Sequence, residues 1–355
     1  MSIRQPKDQQ KQLRYSKSAG NVLDVQQNSQ YPLQPTCDIH IQAQLFPTYN
    51  TATWMFDMYK DDPTVKLNQI IIPGSHDSAT DQMTKRSPYA RFNKLHRISQ
   101  ELVYMWAKCQ HHTIYEQLMD GIRYLDLRLE NHQSGWKTFH GLISNCLLNV
   151  LDQVGRFASN HPREIIIVDF QHLVNFSFGD HINLMEYIIK HPQLGQRLAG
   201  NHLGADGSMQ DYWNMDKNVI LFYNEGFKHF SHLYWSRCNW IENPWYNTPK
   251  KSVLRDSLTR GIKERKQHKF HVSQLILTPD AFKVVSGFVF GVSSLYKLTI
   301  PSISDLLANG ILQSLDHAAR QAGNHVNIVI VDFYGHGSLI RNCLEINSCN
   351  KHTNA

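Results

Sequence analysis

The feature that most constrains this chain is a series of short, continuous apolar segments separated by helical patterns. Segments of this kind, bounded by turn residues, are typical of β-strands that are buried on both faces. Buried strands that alternate with helices favour a parallel sheet covered by helices. The predicted strands are Gln69–Ile72, Arg123–Leu129, Trp136–Phe139, Ile165–Phe170, Val219–Tyr223, Gln274–Leu277 and Ile328–Phe333.

Two amphipathic patterns between these strands predict helices. From Leu142 to Ala158, apolar residues recur at the helical period, and His161-Pro162 ends the pattern. Residues 304–322 predict a second helix that leads into the last strand. With about seven or eight strands and no glycine-rich nucleotide loop, one closed barrel is the simplest arrangement. We therefore predict an α/β fold, a distorted (β/α)8 TIM-type barrel in a single domain.

Composition sets the limits of this barrel. Residues 1–36 are rich in Gln, Lys, Ser and Asn and predict a disordered N-terminal arm. Residues 37–53 form an N-terminal extension, in which Asp38–Leu45 alternates apolar and polar side chains as a half-exposed strand does. We predict the barrel over residues 54–345 and a C-terminal tail over 346–355.

Charge, cysteine content and the terminal sequences exclude several classes of protein. The chain has 355 residues and a formal net charge of +6, but its Lys and Arg residues are scattered, so we expect no nucleic-acid partner. The six cysteines include no C-x-x-C pair, which favours reduced thiols over a disulfide framework or a zinc site. We find no signal segment, apolar span or lipidation motif. We therefore predict a cytoplasmic protein, peripheral at membranes.

Several predicted strands end in groups suited to acid–base chemistry. The carboxyl ends of barrel strands meet on one face, where catalytic groups collect. Asp126 and Arg128 lie two positions apart and so share one face of their strand. A His-Asp pair in a loop could equally serve only local hydrogen bonds. The polar groups at strand ends are His76 and Asp77, Asp126 and Arg128, His140, Asp169 and Gln171, Tyr223, and Asp332 with Tyr334.

Motifs around these residues resemble the catalytic X domain of phosphatidylinositol-specific phospholipases C. They are P-G-S-H-D-S at His76, D-G-I-R-Y-L-D-L-R at Asp126, F-H-G at His140 and V-D-F-Y-G at Asp332. The likeness covers roughly residues 54–345 and is greatest to the small X-domain-containing proteins and the bacterial enzymes. It implies a phosphoric diester hydrolase that cleaves phosphatidylinositol-type lipids to diacylglycerol and inositol (cyclic) phosphate, in lipid degradation and signal transduction.

The resemblance implies an acid–base mechanism with two histidines. His76 would be the general base on the inositol 2-hydroxyl, and His140 the general acid for the departing diacylglycerol oxygen. The two would exchange roles when water opens the cyclic phosphate. Asp332 would support His76, and Asp126 would support His140.

Arg128 bears on the question of a metal. In the large signalling phospholipases C the equivalent strand carries two acidic groups that hold calcium, whereas this chain has Asp126-Leu127-Arg128. The resemblance implies that the guanidinium of Arg128 replaces the ion and stabilises charge at phosphorus. Asp77 would hold Arg128 and assist at the leaving oxygen. We therefore predict no metal and no other cofactor.

The residues that would recognise the lipid head-group depart from the family's pattern. Bacterial enzymes use basic residues from the fourth and fifth strands, where this chain has Gln171 and neutral groups near Tyr223. We take Asp169, Gln171, Tyr223 and Tyr334 as candidate substrate-binding residues, although Asp169 could instead cap a helix. A phosphoinositide-type phospholipid is the predicted partner, and its exact head-group stays open.

Two segments are candidates for contact with a membrane. Trp235, Trp240, Trp245 and Tyr246 cluster after the fifth strand, and residues 284–296 are apolar and uncharged. Loops after barrel strands lie on the active-site face, so exposed aromatic side chains there would enter the lipid interface. Core packing is the alternative for both, and we favour it for the tryptophans.

Other functions are compatible with the same residues. A pseudoenzyme that binds inositol lipids or protein partners is favoured by the missing basic head-group residues. A glycerophosphodiesterase is a third hypothesis, but its site needs acidic metal ligands where Arg128 lies. Arg128 could also serve only to pair with Asp126. We expect His172 and His181 to be surface residues.

Overall fold

A curled parallel sheet forms the centre of the protein in the computed structural model. Its strands are β1 Ile72–Ser75, β2 Tyr124–His132, β3 Gly135–His140, β4 Leu142–Cys146, β5 Ile166–Val174, β6 Val219–Tyr223, β7 Trp235–Ser236, β8 Ile241–Glu242, β9 Phe270–Gln274 and β10 Ile328–Val331. Eight of them follow in the order β7–β6–β5–β2–β1–β10–β9–β8, all neighbours being parallel. The β3–β4 hairpin joins the end of β2 in antiparallel pairing.

The structure describes residues 49–91, 99–223, 230–278 and 295–353. The predicted disordered arm 1–36 and the predicted strand Asp38–Leu45 lie outside these ranges. So does the apolar segment 284–296, except for its last two residues.

Helices follow most of the strands and cover the outer face of the sheet. They are α1 Trp54–Tyr59, α2 Gln100–Ala107, α3 Ile114–Asp120, α4 Leu147–Asn160, α5 Phe178–Lys190, α6 Met209–Met215, α7 Arg237–Trp240, α8 Lys251–Glu264, α9 Leu295–Ala308, α10 Ile311–Gln321 and α11 Leu339–Thr353. No helix in the described ranges is long and apolar enough to cross a bilayer. The predicted α/β barrel in a single domain is confirmed; its edge strands β7 and β8 are two residues long, and no described residue pairs one with the other.

The first strand lies later than predicted. It spans Ile72–Ser75, and Leu67–Gln69 forms a 3-10 turn instead. Pro73 therefore lies inside the strand rather than ending it, because its carbonyl can still accept a hydrogen bond from Arg123 N at 2.9 Å. Gly74 fits a tight approach of neighbouring strands, since a Cβ there would lie 2.8 Å from Ile330 Cγ2.

Other predicted boundaries are wrong for local reasons. Leu142–Cys146 is a strand rather than the start of α4, because Gly141, at a φ of 73°, turns the chain back along β3. The predicted helix 304–322 is divided by Gly310, whose φ is 72°. The sixth predicted strand lies earlier, as β9. The predicted tail 346–355 is mostly α11, held by the Asn347 amide, which exchanges two hydrogen bonds with the backbone of Ile71 at 2.8 Å.

The sheet separates two apolar cores. Successive residues of a strand point to opposite faces, so Tyr124 packs in one core and Leu125 in the other. The outer core joins the sheet to the helices, for example to Val150 of α4, and the inner core is enclosed by the curled strands. Polar residues replace the inner apolar ones toward the carboxyl ends of the strands, as at Asp126. The candidate site lies there.

Candidate active site

His76 and Asp77 directly follow β1, and neighbouring strands fix their backbone. The amide of His76 donates to the carbonyl of Val331 at 3.1 Å. The side-chain amide of Gln110 donates to the carbonyls of both His76 and Val331 at 3.0 Å. Asp77 has a φ of 41°, in the left-handed region that costs a non-glycine residue about 1–3 kcal/mol. The chain thus turns sharply where β1 ends, and the Asp77 side chain points among those of the adjacent strands.

Carboxylates surround the imidazole of His76. Its Nδ1 lies 2.7 Å from Asp332 Oδ1, and its Nε2 lies 3.2 Å from Asp77 Oδ2 and 3.9 Å from Asp126 Oδ2. Burial lowers the pKa of His76, but Asp77 and Asp332 outweigh this effect and raise the pKa to about 9. The surrounding carboxylates thus favour the protonated form of His76.

Arg128 projects from β2 beside His76. Its Nε lies 2.8 Å from Asp77 Oδ1, and its Nη2 lies 3.1 Å from His76 Nε2. Burial opposes the charge of Arg128, but the carboxylates of Asp77 and Asp126 raise its pKa. The charges of Arg128 and the two histidines hold the pKa of Asp77 below its usual range in spite of burial. A fixed ion pair therefore lies at the centre of the site.

His140, at the end of β3, faces the same cluster from the opposite side. Its Nδ1 lies 2.9 Å from the carbonyl of Ala107 and 3.1 Å from Asp77 Oδ2, while the Trp106 ring packs edge-on at 5.0 Å. The ring centroids of His76 and His140 are 5.9 Å apart. Burial lowers the pKa of His140 to about 4 although Asp77 opposes it. The two imidazoles thus differ in protonation at neutral pH.

The expected support of His140 by Asp126 is wrong. Asp77 fills that position, because its left-handed backbone directs one carboxylate toward both histidines and Arg128. Asp126 instead lies on the His76 side, where its Oδ2 accepts a hydrogen bond from the amide of Asp77 at 3.3 Å. Burial and the charge of Asp77 raise the pKa of Asp126.

A second polar group lies beside the first, around Asp169 of β5, which is paired with Asp126 of β2. Asp169 accepts hydrogen bonds from the Tyr124 hydroxyl at 2.6 Å and from Arg237 Nε at 2.6 Å, so it does not cap a helix. Asn243 contacts the Tyr124 hydroxyl at 3.4 Å, and Gln274 donates to Asn243 Oδ1 at 2.6 Å. Arg237, in the short helix α7, supplies the basic group that the sequence interpretation had not found.

Two further residues of β5 line this region. Gln171 is buried, and its Nε2 has no hydrogen-bond partner among the described residues. A register shift between Leu127 and Arg128 sets His172 opposite Arg128. Burial and the charges of Arg128 and Arg237 lower the pKa of His172. His172 is partly exposed, as predicted for a surface residue, but it lies at the site.

Two candidate substrate-binding residues lie away from the cluster. Tyr223 packs in the outer core, and its hydroxyl bonds to His181 Nδ1 at 2.8 Å, so His181 is buried rather than a surface residue. Tyr334 also belongs to the outer core and donates to Asp120 Oδ2 at 2.7 Å. The assignment of both tyrosines to the substrate site is wrong, because strand alternation at β6 and the turn after β10 direct them toward the helices.

The aromatic cluster after the fifth predicted strand is divided. Trp235 is fully buried and Trp240 packs against it at a centroid distance of 5.3 Å, while Tyr246 packs on the outer core. Core packing is therefore confirmed for these three residues. Trp245 differs, since 62% of it is exposed.

One group of side chains in the described ranges could hold a metal ion. His76, Asp77 and Cys109 each offer a donor atom within 4.8 Å of the others. Cys109 lies between α2 and α3 with its Sγ 3.5 Å from His140 Nδ1, and burial raises the pKa of its thiol. No sequence pattern indicated this contact, since Cys109 belongs to no ligand-spaced motif.

Comparison with known proteins assigns the fold and the family. No protein-family model matches the chain. Among solved structures, the phosphatidylinositol-specific phospholipase C of Listeria monocytogenes matches with a TM-score of 0.58 at 17% identity, over 84% of this chain and 98% of that one. That of Staphylococcus aureus gives 0.58 at 18% identity, over 84% and 97%. The chain thus has the barrel fold of these phospholipases C.

Sequence similarity to curated proteins identifies the family within this fold. Human PI-PLC X domain-containing protein 2 is 30% identical over 255 residues, which is 68% of this chain and 83% of that protein. Mouse PI-PLC X domain-containing protein 3 is 25% identical over 310 residues, covering 83% and 93%. The chain belongs to the family of PI-PLC X domain-containing proteins, as its motifs predicted.

The contact between His76 and Asp332 makes a first prediction. In Asp332→Asn the pKa of His76 should fall by about 1–3 pH units, because a carboxylate 2.7 Å from Nδ1 is replaced by a neutral amide. An NMR titration of the histidine rings measures this. Asp152→Asn, which removes the partner of His191 at 2.8 Å, is the matched control and should leave His76 unchanged. An unaltered pKa of His76 in Asp332→Asn would contradict the role of Asp332 in raising that pKa.

Proposed function

We propose that the protein is a phosphodiesterase that cleaves phosphatidylinositol-type lipids between glycerol and phosphate without a metal ion. The observation that carries this proposal is the position of Asp77, which contacts His76, Arg128 and His140 at the mouth of the barrel. Two imidazoles on either side of a guanidinium provide a base, an acid and a fixed positive charge for a phosphodiester. The family supports a phospholipase C-like activity.

In the proposed first step, His76 Nε2 removes the proton of the inositol 2-hydroxyl, which attacks phosphorus. His140 then protonates the diacylglycerol oxygen as the bond from phosphorus to this oxygen breaks. The carbonyl of Ala107 accepts from Nδ1 of His140 at 2.9 Å, which leaves Nε2 of His140 to carry the transferred proton. Arg128 stabilises the charge on the phosphoryl oxygens. In the second step water opens the cyclic phosphate with the two histidines in exchanged roles.

The reaction needs its one proton on His140, whereas in the free site this proton lies on His76. Between pH values of about 4 and about 9 the pair holds one proton in total. Bound phosphodiester would bring negative charge to His140 and place Arg128 against the phosphate. We infer that substrate binding moves the proton distribution toward the reactive form.

Turnover by His76→Ala tests the enzyme. With EDTA present, we expect phosphatidylinositol hydrolysis by the wild type and a loss of about 10²–10⁴-fold in His76→Ala, because the proton acceptor is removed. His317→Ala, at an exposed position of α10, is the matched control and should retain activity. Equal hydrolysis by His76→Ala would reject the mechanism, and a requirement for calcium would reject its independence of metal.

A lipid-binding pseudoenzyme is the alternative outcome of the same assay. It would bind phosphatidylinositol vesicles but release no inositol phosphate from them. The argument for this alternative was the lack of basic head-group residues, and the position of Arg237 weakens it.

We propose that the group around Asp169 binds hydroxyls of the inositol ring. Tyr124, Asp169 and Arg237 offer both donors and acceptors within one hydrogen-bonded network, as a polyol requires. Gln171 and His172 lie on the same strand between this group and Arg128. This group of residues would then determine which inositol head-group binds, with or without further phosphates.

Arg237→Gln tests the head-group assignment. Hydrogen bonds to charged groups contribute about 1.5–3 kcal/mol, so kcat/KM should fall roughly ten- to a hundredfold. The loss should appear mainly in KM, because Arg237 does not touch the phosphorus. Arg163→Gln, which loses a bond to the Trp213 carbonyl away from the mouth, is the control. A change confined to kcat would contradict this role.

We propose that the mouth of the barrel contacts the membrane through Trp245 and Phe178, which are 62% and 64% exposed. Both follow the carboxyl ends of strands and so lie on the side of the candidate site. The apolar segment 284–296, which follows β9 in the chain, stays a further candidate for membrane contact. Aromatic side chains at an interface bury their rings among lipid chains.

Vesicle sedimentation of the double variant Trp245→Ala/Phe178→Ala tests this contact. Each residue should contribute about 1 kcal/mol, so affinity for phosphatidylinositol vesicles should fall roughly tenfold or more. Phe56→Ala is the matched control, because Phe56 is 38% exposed on α1, where its amide bonds to Glu164 before β5 begins. An equal loss in the control, or none in the double variant, would reject this surface.

A further inference from the structure

Cys109 is a buried thiol within the candidate site that the proposed acid–base reaction does not use. Its amide donates to Thr80 Oγ1 at 3.1 Å, and its carbonyl accepts from the amide of Phe333 at 2.7 Å. Its Sγ lies 3.9 Å from Asp77 Oδ2 and 3.5 Å from His140 Nδ1. The backbone on both sides of the thiol is thus fixed, and the sulfur faces the polar cluster.

Two of the three donor-atom separations are close to those of a tetrahedral metal site. His76 Nε2 and Asp77 Oδ2 are 3.2 Å apart, and Asp77 Oδ2 and Cys109 Sγ are 3.9 Å apart. Zinc bonds of about 2.0 Å to nitrogen or oxygen and 2.3 Å to sulfur place neighbouring tetrahedral ligands roughly 3.3–3.6 Å apart. His76 and Cys109 offer their donor atoms within 4.8 Å of each other, so this pair would have to close by up to about 1 Å for all three atoms to coordinate one ion.

We propose that His76, Asp77 and Cys109 form a site for a thiophilic divalent cation, Zn²⁺ or its analogue Cd²⁺, whose binding blocks the active site. The blocking rests on the proposed function, whereas the binding does not. The ion would take the Nε2 lone pair of His76, which is the atom proposed to accept the proton of the hydroxyl. Arg128, whose Nη2 lies 3.1 Å from the same nitrogen, would have to move aside.

The charge around the triad favours a cation despite Arg128. Three carboxyl groups, those of Asp77, Asp126 and Asp332, face one guanidinium. Asp126 Oδ1 is buried without a hydrogen-bond partner among the described residues, so one acceptor there is unsatisfied. Binding also releases the thiol proton of Cys109 and any proton on His76 Nε2, which offsets the charge that the ion brings.

The donor set selects a soft ion. One sulfur, one nitrogen and one oxygen suit Zn²⁺ or Cd²⁺, whereas Ca²⁺ and Mg²⁺ prefer six or more oxygen ligands. His140 completes no fourth bond through Nδ1, because that nitrogen faces the carbonyl of Ala107. A water molecule would be the fourth ligand.

Cadmium binding without substrate tests the site. Cd²⁺ is titrated into a full-length variant in which Cys37, Cys146, Cys238 and Cys349 are serine, leaving Cys109 and the core residue Cys343. We expect the ultraviolet thiolate-to-cadmium band at one equivalent. Cys109→Ser should abolish this band, and His76→Ala should weaken binding by on the order of ten- to a hundredfold.

Two results would overturn the proposal. The first is the absence of the cadmium band in the variant with four serine substitutions, here called the background variant. The second is a band of equal affinity with and without His76, which would indicate that Cys109 binds the ion alone. If circular dichroism finds the background variant unfolded, the difference between wild type and Cys109→Ser decides by the same criteria. In an active protein, Zn²⁺ should inhibit the wild type at least tenfold more strongly than Cys109→Ser, each relative to its own metal-free activity. A wild type without turnover would reject the proposed function and leave the cadmium result standing.

Discussion

The arrangement of the candidate site depends on one carboxylate, that of Asp77. A left-handed backbone at the end of β1 directs it among three cationic or titratable groups, Arg128, His76 and His140, at 2.8, 3.2 and 3.1 Å. A residue with ordinary backbone angles would continue the strand and point elsewhere. The strain of about 1–3 kcal/mol is offset by these charge-assisted contacts and by the amide of Asp77, which donates to Asp126. The left-handed turn at Asp77 and the contacts of its carboxylate therefore depend on each other. The turn directs the carboxylate into the site, and the contacts stabilise the turn.

The same carboxylate links the protonation of the two imidazoles. His76 also contacts Asp332 and keeps its proton up to a pH of about 9, whereas burial and the nearby cations leave His140 neutral down to about 4. These opposite shifts favour His76, the proposed base, over His140 as the group that holds the proton. A phosphodiester anion would add negative charge beside His140 and would place Arg128 against the phosphate. On the proposed function, substrate binding and proton redistribution are therefore coupled.

The sequence predicted the residues that lie on regular strands better than those placed by turns or by distant segments. Apolar runs identified the barrel, and the two-residue spacing of Asp126 and Arg128 correctly placed them on one face. The partner of His140 was predicted wrongly, because the direction of Asp77 depends on a backbone angle that no residue pattern encodes. Tyr223 was assigned to the wrong face of the sheet, because its position at the end of a strand does not reveal whether its side chain points inward or outward. The role of Arg237 could not be predicted from the sequence. The strand before it has only two residues, too few to show an alternating pattern, and its carboxylate partner Asp169 lies far away in the chain, on β5.

The barrel mouth separates reaction from recognition. The groups proposed for proton transfer come from the ends of β1, β2, β3 and β10, whereas the network around Asp169 draws on β5, α7 and β9. Tyr124 and Asp126 lie two positions apart on β2 and belong to one group each, so this strand connects the two. Within the described residues, the hydrogen bonds of the Arg237 side chain go to Asp169 and to none of the groups around His76. Substitutions at Arg237 can therefore alter which polyol is bound without removing a hydrogen bond of His76. On the proposed function, relatives with the same transfer groups can therefore differ in head-group while the acid–base chemistry stays the same.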